Sequence, residues 1–339
     1  MKGVLLVNLG SPDSTSTRDV RKYLDEFLMD KRVIDTSYLM RVFLVRGIIL
    51  NTRPKKTAAA YKKIWWKEGS PLVEISRRVT EKIKAKSEIP VEMAMRYGNP
   101  SMKSGLQKLA DQGVDEIFMI PLYPQFAMAS TETVVVLANK LIKKHFPHIK
   151  LTDVPAFYKE PDYIEVLTNS IKRKLEEDQP DHLLFSYHGL PERHLQLTNV
   201  AKSHCKIDGT CCNTPSPAHE FCYRHQCYET TKLVVEKLGL KEEDYSVSFQ
   251  SRLGKDPWIQ PFTDVVIKEL PEKGVKKLSV VIPSFVADCL ETLEEIAMEA
   301  KKSFIESGGE EFNTIPCLNE DEDWVNVLET WIQNWNNSN

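Results

Sequence analysis

The sequence has 339 residues, of which 42% are hydrophobic and 27% charged, a composition that excludes a disordered or fibrous chain. Its 45 basic and 48 acidic residues leave a net charge of −3, which excludes a protein that coats nucleic acid through its overall charge. No apolar run approaches the ~18 residues of a membrane span. We therefore expect a cytoplasmic globular protein without a nucleic-acid partner.

Short apolar runs that end in Gly, Pro or Ser recur along the chain and predict buried strands. They lie at 4–8, 91–95, 116–122 and 151–157, and again at 183–187, 245–249, 278–286 and 312–318. Longer amphipathic stretches separate them, for example 131–146 and 161–177, as expected of parallel βα units. The order predicts an α/β protein of two similar halves, each with a four-stranded parallel sheet flanked by helices.

Ligands of open parallel sheets bind at the carboxyl ends of the strands, so functional residues are expected there. No GxGxxG follows the first strand and no GxxxxGK[ST] occurs, which leaves nucleotide binding without support. His188 follows an apolar strand and precedes Gly189, which predicts an imidazole at this edge. A neutral imidazole there suits a general base, and a turn histidine bonded to backbone is an equal alternative.

Acidic residues recur along the segment after the strand at 278–286. On a helix, Asp288, Glu291, Glu295 and Glu299 share one face, with the first two in the first turn. Carboxylates so placed can hold a divalent cation and relay protons. A solvated helix face shows the same pattern.

The segment 37–67 contains eight basic residues and no acidic one, interleaved with large apolar side chains. This combination is typical of a surface that meets an anionic membrane or a flat apolar ligand with carboxylates. A partly buried amphipathic helix with solvated cations is the alternative.

Five of the seven cysteines lie within 204–228, here called the cysteine segment. They are Cys205, Cys211, Cys212, Cys222 and Cys227, accompanied by His204, His219 and His225. In a reducing compartment this density favours zinc or an iron–sulfur cluster over a loop closed by disulfides.

Seven motifs occur in order and together resemble the ferrochelatase family. They are NLGSP at 8–12, MRYGNP at 95–100, PLYPQF at 121–126, FSYHGLPERH at 185–194, FQSRLG at 249–254, PWIQP at 257–261 and VADCLETLEEI at 286–296. The resemblance implies an enzyme that inserts Fe2+ into a porphyrin in the last step of haem formation. It also implies two Rossmann-like domains, which we expect at 1–160 and at 161–339, the second with the cysteine segment and the C-terminal helix.

The resemblance assigns roles to residues of the matching motifs. His188 matches the pocket histidine that accepts a pyrrole proton or binds the metal, and Glu291 matches the glutamate opposite it. Asp288 and Glu295 match the acidic path behind that glutamate. Residues that shape the porphyrin slot in the family match Leu9, Arg96, Tyr97, Tyr123 and Trp258.

The resemblance also bears on substrate and location. Segment 37–67 matches the family's apolar lip, which implies peripheral contact with a membrane, expected here on the inner face of the plasma membrane. The apolar lip favours protoporphyrin IX, with coproporphyrin III, or another metal and tetrapyrrole, as the alternatives. A haem or metal carrier, or a redox sensor, is the alternative from another class.

Two departures from the animal members concern cysteines. Cys289 stands where those members have a histidine, so that histidine's role does not carry over. Met128 and a C-terminus without cysteine after Cys317 exclude the animal arrangement of a [2Fe–2S] cluster. The cysteine segment instead resembles the internal one by which some bacterial members hold such a cluster. The expected ligands are Cys205, Cys211, Cys212 and Cys222, with Cys227 as the fifth candidate.

Overall fold

The computed structural model describes residues 1–196, 199–252, 254 and 256–338, so Leu253 of the FQSRLG motif lies outside it. The chain forms two compact units. The first comprises Met1–Tyr123, Met128–Pro155 and Asn319–Asn339, and the second comprises Pro124–Ala127 and Ala156–Leu318.

Each unit contains one four-stranded parallel sheet, which confirms the predicted fold class. The strands are β1 (Lys2–Ser11), β2 (Val91–Gly98), β3 (Glu116–Pro121), β4 (Lys150–Asp153), β5 (His182–His188), β6 (Tyr245–Gln250), β7 (Lys277–Val281) and β8 (Glu311–Thr314). Their orders are β2-β1-β3-β4 and β6-β5-β7-β8. The central strand β5 is buried almost throughout, as an apolar run covered on both faces of a parallel sheet must be.

Helices follow the strands in the βα pattern that the amphipathic stretches predicted. They are α1 (Thr17–Leu28), α2 (Tyr38–Val42), α3 (Leu50–Ile64), α4 (Pro71–Lys86), α5 (Met102–Asp111), α6 (Thr133–His145), α7 (Pro161–Asp178), α8 (Asn199–His204), α9 (Tyr223–Leu238), α10 (Thr263–Glu269), α11 (Lys301–Glu306) and α12 (Glu322–Asn337). None of the helices in the described ranges is long and apolar enough to cross a membrane.

Glycine makes possible the close approach of β1 and β2 at their carboxyl ends. Gly10 pairs with Tyr97 and has a φ of +109°, and a Cβ there would lie 1.8 Å from the Tyr97 carbonyl oxygen. Gly98, opposite Ser11, has a φ of +81°, and a Cβ there would lie 2.5 Å from the Ser11 carbonyl oxygen. Only glycine fits these two positions. The residues beside them, Leu9 and Tyr97, are thereby held next to the sheet edge.

The C-terminal helix belongs to the first unit, which differs from the expected boundaries of 1–160 and 161–339. Glu322 forms ion pairs with Lys82 and Lys86 of α4, at 3.1 and 2.7 Å. The Trp335 ring stacks on Phe118 of β3 with ring centroids 5.1 Å apart. These contacts join residues more than 200 positions apart, so local sequence pattern could not reveal them.

The segment after β7 also differs from expectation. Glu291–Ala300 is a π-helix, in which successive turns are wider than in an α-helix, and it continues into α11. Asp288 lies in the loop before this helix and is buried, so its expected place in a first helical turn was wrong. The buried face includes Thr292, Glu294 and Ile296.

Candidate active site

His188 lies at the carboxyl end of β5, where the strand pattern predicted it. Its Nδ1 donates a hydrogen bond of 2.7 Å to the Gly189 carbonyl oxygen, because that oxygen can only accept. In the neutral imidazole this bond places the single proton on Nδ1 and leaves the lone pair on Nε2, which has no hydrogen-bond partner among the described residues. The backbone on both sides is fixed, since Ser284 accepts from His188 N and Tyr223 donates to the His188 carbonyl.

Gly189 allows an aromatic ring to lie against the turn. A Cβ at this position would come within 2.7 Å of the Gln250 carbonyl oxygen and within 3.2 Å of the Trp258 ring. Two backbone hydrogen bonds, each 3.0 Å long, hold the segment that carries Trp258. Glu192 N donates to Pro257 O, and Ile259 N donates to Leu190 O. Trp258 is thus placed beside the residue that follows His188.

Gln250 connects His188 to the helix that carries Glu291. It is the register partner of His188 across β5 and β6. Its Nε2 donates 3.0 Å to the Glu291 carbonyl, and its Oε1 accepts from Ser186. Sequence reasoning missed Gln250, although the rule that ligands bind at strand ends applies equally to the end of β6.

The two other acidic candidates have hydroxyl partners. The Thr292 hydroxyl donates 2.8 Å to Asp288 Oδ1, and the Cys289 N–H donates 3.0 Å to Thr292 Oγ1. Ser251 donates to Glu295 and has a φ of +67°, a conformation that costs free energy for a residue other than glycine. Strained backbone of this kind clusters at functional sites, and Ser251 was also missed by the sequence patterns.

In the first unit, Arg96 and Tyr97 share one carboxylate. Asp30 accepts hydrogen bonds from the Arg96 guanidinium, from the Tyr97 hydroxyl at 3.1 Å and from the Thr133 hydroxyl. Arg96 Nε also donates 2.8 Å to Thr133 Oγ1. Burial alone would raise the pKa of Asp30, but the hydrogen bonds from Thr133 and from the Arg32 backbone N–H, together with the Arg96 charge, leave it below its ordinary value. Burial raises the pKa of Tyr97, so its hydroxyl stays protonated.

Leu9 and Tyr123 lie at the same edge, at the ends of β1 and β3. Leu9 is partly buried against the first unit's core, and its N–H is held by the Asn8 side chain at 2.8 Å. Tyr123 is buried, which raises its pKa, and its hydroxyl has no partner in the described part of the chain. Four of the predicted slot residues therefore lie at the ends of β1, β2 and β3.

Segment 37–67 folds into α2, a π-helical turn over Phe43–Ile49, and α3. Five large apolar side chains are exposed on its first part, here called the lip: Tyr38, Leu39, Met40, Phe43 and Ile48. The basic side chains of this segment differ in their burial and in their partners. Arg41 is buried on the carbonyls of Ile34 and Thr36, and Arg46 forms an ion pair with Asp25.

The cysteine segment begins at His204, the last residue of α8, and contains two short 3-10 turns and the start of α9. Burial and the neighbouring Cys211 raise the pKa of Cys205 to about 11. Hydrogen bonding between Cys212 and Cys222 raises the pKa of the first thiol and lowers that of the second. Cys205 therefore lies near Cys211, and the side chains of Cys212 and Cys222 share a hydrogen bond.

Cys227 lies apart from these pairs. It is fully buried in α9, and burial raises its pKa well above the ordinary value. Within the residues that the structure describes, no group of three or more His, Cys, Asp or Glu is arranged to hold a metal ion. The ligand set expected for a cluster stays a prediction.

Comparison with known proteins assigns the fold and the family. The structure is similar to "SirB from Bacillus subtilis with Fe3+", with a TM-score of 0.55 and 11% identity over 98% of this chain and 94% of that one. The SirB of Bacillus subtilis subspecies spizizenii in complex with cobalt, a sirohydrochlorin chelatase, has the same TM-score at 10% identity. The fold is therefore that of a chelatase.

Sequence similarity is much higher to one class of chelatases. The ferrochelatase family model matches residues 1–335. The ferrochelatase of Ectopseudomonas mendocina is 49% identical over 328 residues, which cover 96% of both chains. That of Opitutus terrae is 46% identical over 337 residues, covering 98% of this chain and 97% of the other. The chain belongs to the ferrochelatase family, enzymes that insert a metal ion into a porphyrin.

Proposed function

We propose that the enzyme inserts Fe2+ into protoporphyrin IX, with His188 as the acceptor of pyrrole protons. The observation that carries this role is the Nδ1 hydrogen bond to the Gly189 carbonyl, since it leaves a lone pair on Nε2. A neutral imidazole accepts a proton near pH 7 and can also bind a divalent metal ion. Proton acceptance and metal binding both need Nε2, so a pyrrole proton and the metal ion compete for this nitrogen unless they reach it one after the other.

Insertion of one Fe2+ releases two pyrrole protons, which must leave the site. We assign the first to His188 Nε2. Glu291 carries the second proton. Asp288, in the loop before the π-helix, and Glu295, on the π-helix, pass protons or Fe2+ onward, since carboxylates can take up and release both. Ser251 holds Glu295, and Thr292 holds Asp288, so each carboxylate keeps one oxygen oriented.

The proposed porphyrin contacts are side chains at the strand ends of the first unit and, in the second unit, Trp258 in the segment between β6 and α10. We propose that Leu9, Tyr123 and Trp258 contact the macrocycle and that Arg96 and Tyr97, fixed by Asp30, shape the slot. A rigid slot can hold the macrocycle bent, which exposes the nitrogen lone pairs and uses binding energy to approach the transition state.

The experiment that tests these roles is an anaerobic assay of Fe2+ insertion with Glu291→Gln and the matched variant Glu299→Gln. Glu299 lies eight residues along the same segment and is exposed. Glu291→Gln should lower turnover by about 100-fold, as expected of a lost acid–base group, and leave porphyrin binding intact. Glu299→Gln should behave as the unchanged enzyme. Equal turnover in the two variants would remove Glu291 from the proposed path.

The exposed apolar lip favours protoporphyrin IX over the more polar coproporphyrin III. Leu39 is 80% exposed and Phe43 is 64% exposed, so the lip offers apolar surface to a ligand or bilayer. We also propose peripheral membrane contact through the lip, with exposed Arg53 and Lys55 supplying positive charge towards anionic lipids. Insertion rates measured separately with the two porphyrins test the substrate. A higher kcat/KM for coproporphyrin III would reverse the assignment.

We further propose that the cysteine segment binds a [2Fe–2S] cluster. Such a cluster takes four thiolates, two on each iron, and among the expected ligands Cys205 lies near Cys211 while Cys212 shares a hydrogen bond with Cys222. The two pairs support the choice of these four ligands, and Cys227, which is fully buried in α9, stays the fifth candidate. When bound, the cluster would supply one-electron redox chemistry to this segment. Iron and acid-labile sulfide analysis of protein purified without oxygen tests the proposal, and absence of both would overturn it.

A further inference from the structure

Three hydrogen bonds form a closed ring on the backbone of His188. The His188 N–H donates 2.9 Å to Ser284 Oγ, and the Tyr223 hydroxyl donates 2.8 Å to the His188 carbonyl oxygen. The hydroxyl oxygens of Ser284 and Tyr223 lie 3.1 Å apart. Ser284 follows β7, and Tyr223 is the first residue of α9, inside the cysteine segment. The ring therefore joins three elements of the second unit at the end of β5.

The hydrogen bonds of the ring have one consistent direction. A carbonyl oxygen only accepts, and a backbone N–H only donates. Tyr223 gives its single hydroxyl proton to the His188 carbonyl, so it accepts from Ser284, which itself accepts from the His188 N–H. The buried Cys227 thiol also forms a hydrogen bond with Tyr223, whose oxygen can accept twice. Because hydrogen bonds in such a sequence polarise one another, the ring acts as a unit.

The ring holds the peptide group between His188 and Gly189. The carbonyl of this group accepts from Tyr223, and its N–H donates 2.8 Å to the Gln250 carbonyl oxygen. The next peptide group carries the Gly189 carbonyl, which accepts from His188 Nδ1. A glycine backbone turns freely unless its neighbours hold it. The hydrogen bond that keeps the lone pair on Nε2 therefore depends on a peptide group that Tyr223 helps to fix.

We propose that Tyr223 and Ser284 are positioning residues of His188, whose imidazole they hold with its proton on Nδ1 and its lone pair on Nε2. The inference rests on the proposed role of His188 as proton acceptor and deepens it. Without the ring, the Gly189 carbonyl can turn away from Nδ1. The imidazole then also adopts the tautomer with its proton on Nε2, which cannot accept a pyrrole proton there. Through Tyr223 the cysteine segment takes part in the reaction, whatever its thiols bind.

The test compares Tyr223→Phe and Ser284→Ala with Tyr187→Phe. Tyr187 provides a matched control, because its buried hydroxyl lies 2.8 Å from Thr231 Oγ1, also on α9, and outside the ring. The turnover number kcat and the porphyrin KM are measured for Fe2+ insertion without oxygen. The tautomer of His188 is determined from the nitrogen NMR chemical shifts of histidine-labelled protein, with His188→Ala to assign the signals.

Opening the ring should slow the reaction without weakening porphyrin binding. Tyr223→Phe should lower kcat by about 10- to 100-fold, as is typical when a group that orients a functional histidine is removed, and leave the porphyrin KM nearly unchanged. Ser284→Ala should do the same. The double variant should be at most about twofold slower than the slower single variant, since either change opens the ring.

Two further results distinguish positioning from a loss of stability. Ser284→Thr keeps the hydroxyl and should retain kcat to within about threefold of the unchanged protein. In Tyr223→Phe and in Ser284→Ala, the NMR spectrum should show part of His188 with its proton on Nε2. Tyr187→Phe should show neither the loss of kcat nor the second tautomer.

The outcomes separate this inference from the proposed function. Full turnover in His188→Ala overturns the role of His188 and this inference with it. Loss of turnover in His188→Ala, with unchanged kcat and tautomer in Tyr223→Phe, overturns only the role of the ring. An equal loss of kcat in Tyr187→Phe also overturns it, since any buried hydroxyl would then have the effect.

Tyr223→Phe removes a buried hydroxyl, so a second pair of variants covers the case in which it does not fold. Ser284 is only partly buried, and its two variants differ in the hydroxyl that closes the ring. A loss of kcat in Ser284→Ala but not in Ser284→Thr supports the inference. Equal turnover in both variants and in the unchanged protein overturns it.

Discussion

Removal of the Asp30 carboxylate should destabilise the first unit strongly. In Asp30→Ala the guanidinium of Arg96, which is 12% exposed, loses its carboxylate, which is itself 8% exposed. Breaking a buried ion pair by removing one partner costs about 3–5 kcal/mol, since the remaining charge stays buried. The hydroxyls of Tyr97 and Thr133 lose an acceptor as well. We therefore expect Asp30→Ala to lower the free energy of unfolding by about 3–5 kcal/mol.

Urea unfolding measures this effect, with Asp25→Ala as the matched control. Asp25 pairs with Arg46 at the surface, where the two side chains are 34% and 52% exposed, and an exposed pair contributes about 0–1 kcal/mol. Because the pKa of Asp30 is lowered in the folded protein, its contribution should be complete above pH ~4 and should fade as the pH drops through the folded pKa. A loss below about 1 kcal/mol for Asp30→Ala would refute the argument from buried charge.

Three further substitutions test other parts of the structure. Gly189→Ala should lower the free energy of unfolding by about 1–3 kcal/mol and reduce turnover, because a Cβ would lie 2.7 Å from the Gln250 carbonyl oxygen. Thermal unfolding and the insertion assay measure these effects, and an unchanged stability and turnover would contradict the prediction. Phe43→Ser should weaken binding to anionic lipid vesicles in a sedimentation assay, since Phe43 is 64% exposed on the lip. Undiminished vesicle binding would contradict the role of the lip. Cys211→Ser should abolish the visible absorbance of the proposed cluster, whereas Cys317→Ser should retain it; full absorbance in Cys211→Ser would show that other thiols are the ligands.

The sheet strands could be predicted because their signal is local. Parallel strands buried on both faces appear as short apolar runs, and all eight runs became strands. The helices at 133–145 and 161–178 followed from periodicity in the same way. The π-helix at Glu291–Ala300 could not be predicted, since its side-chain pattern differs little from that of an α-helix over two turns.

A site residue could be predicted from the sequence only where it lies at the end of a predicted strand. His188 lies at the predicted edge because β5 ends there. The network around Asp30 joins residues 66 and 103 positions apart, and no local pattern connects them. Likewise, segment 37–67 reads as a uniform basic stretch, but burial of Arg41 and the pairing of Arg46 depend on the fold. In the sequence, Arg224 does not differ from the other basic residues of the cysteine segment, and only the structure shows that it is buried beside Cys211.

The central claim is that His188 Nε2 accepts a pyrrole proton, and anaerobic insertion of Fe2+ by His188→Ala tests it most directly. Porphyrin affinity should be measured in parallel by fluorescence quenching. We expect kcat to fall by about 100-fold or more, because a positioned general base contributes about 10²–10⁴-fold, with porphyrin affinity nearly unchanged. Turnover equal to that of the unchanged protein would contradict the account and assign proton removal to another group.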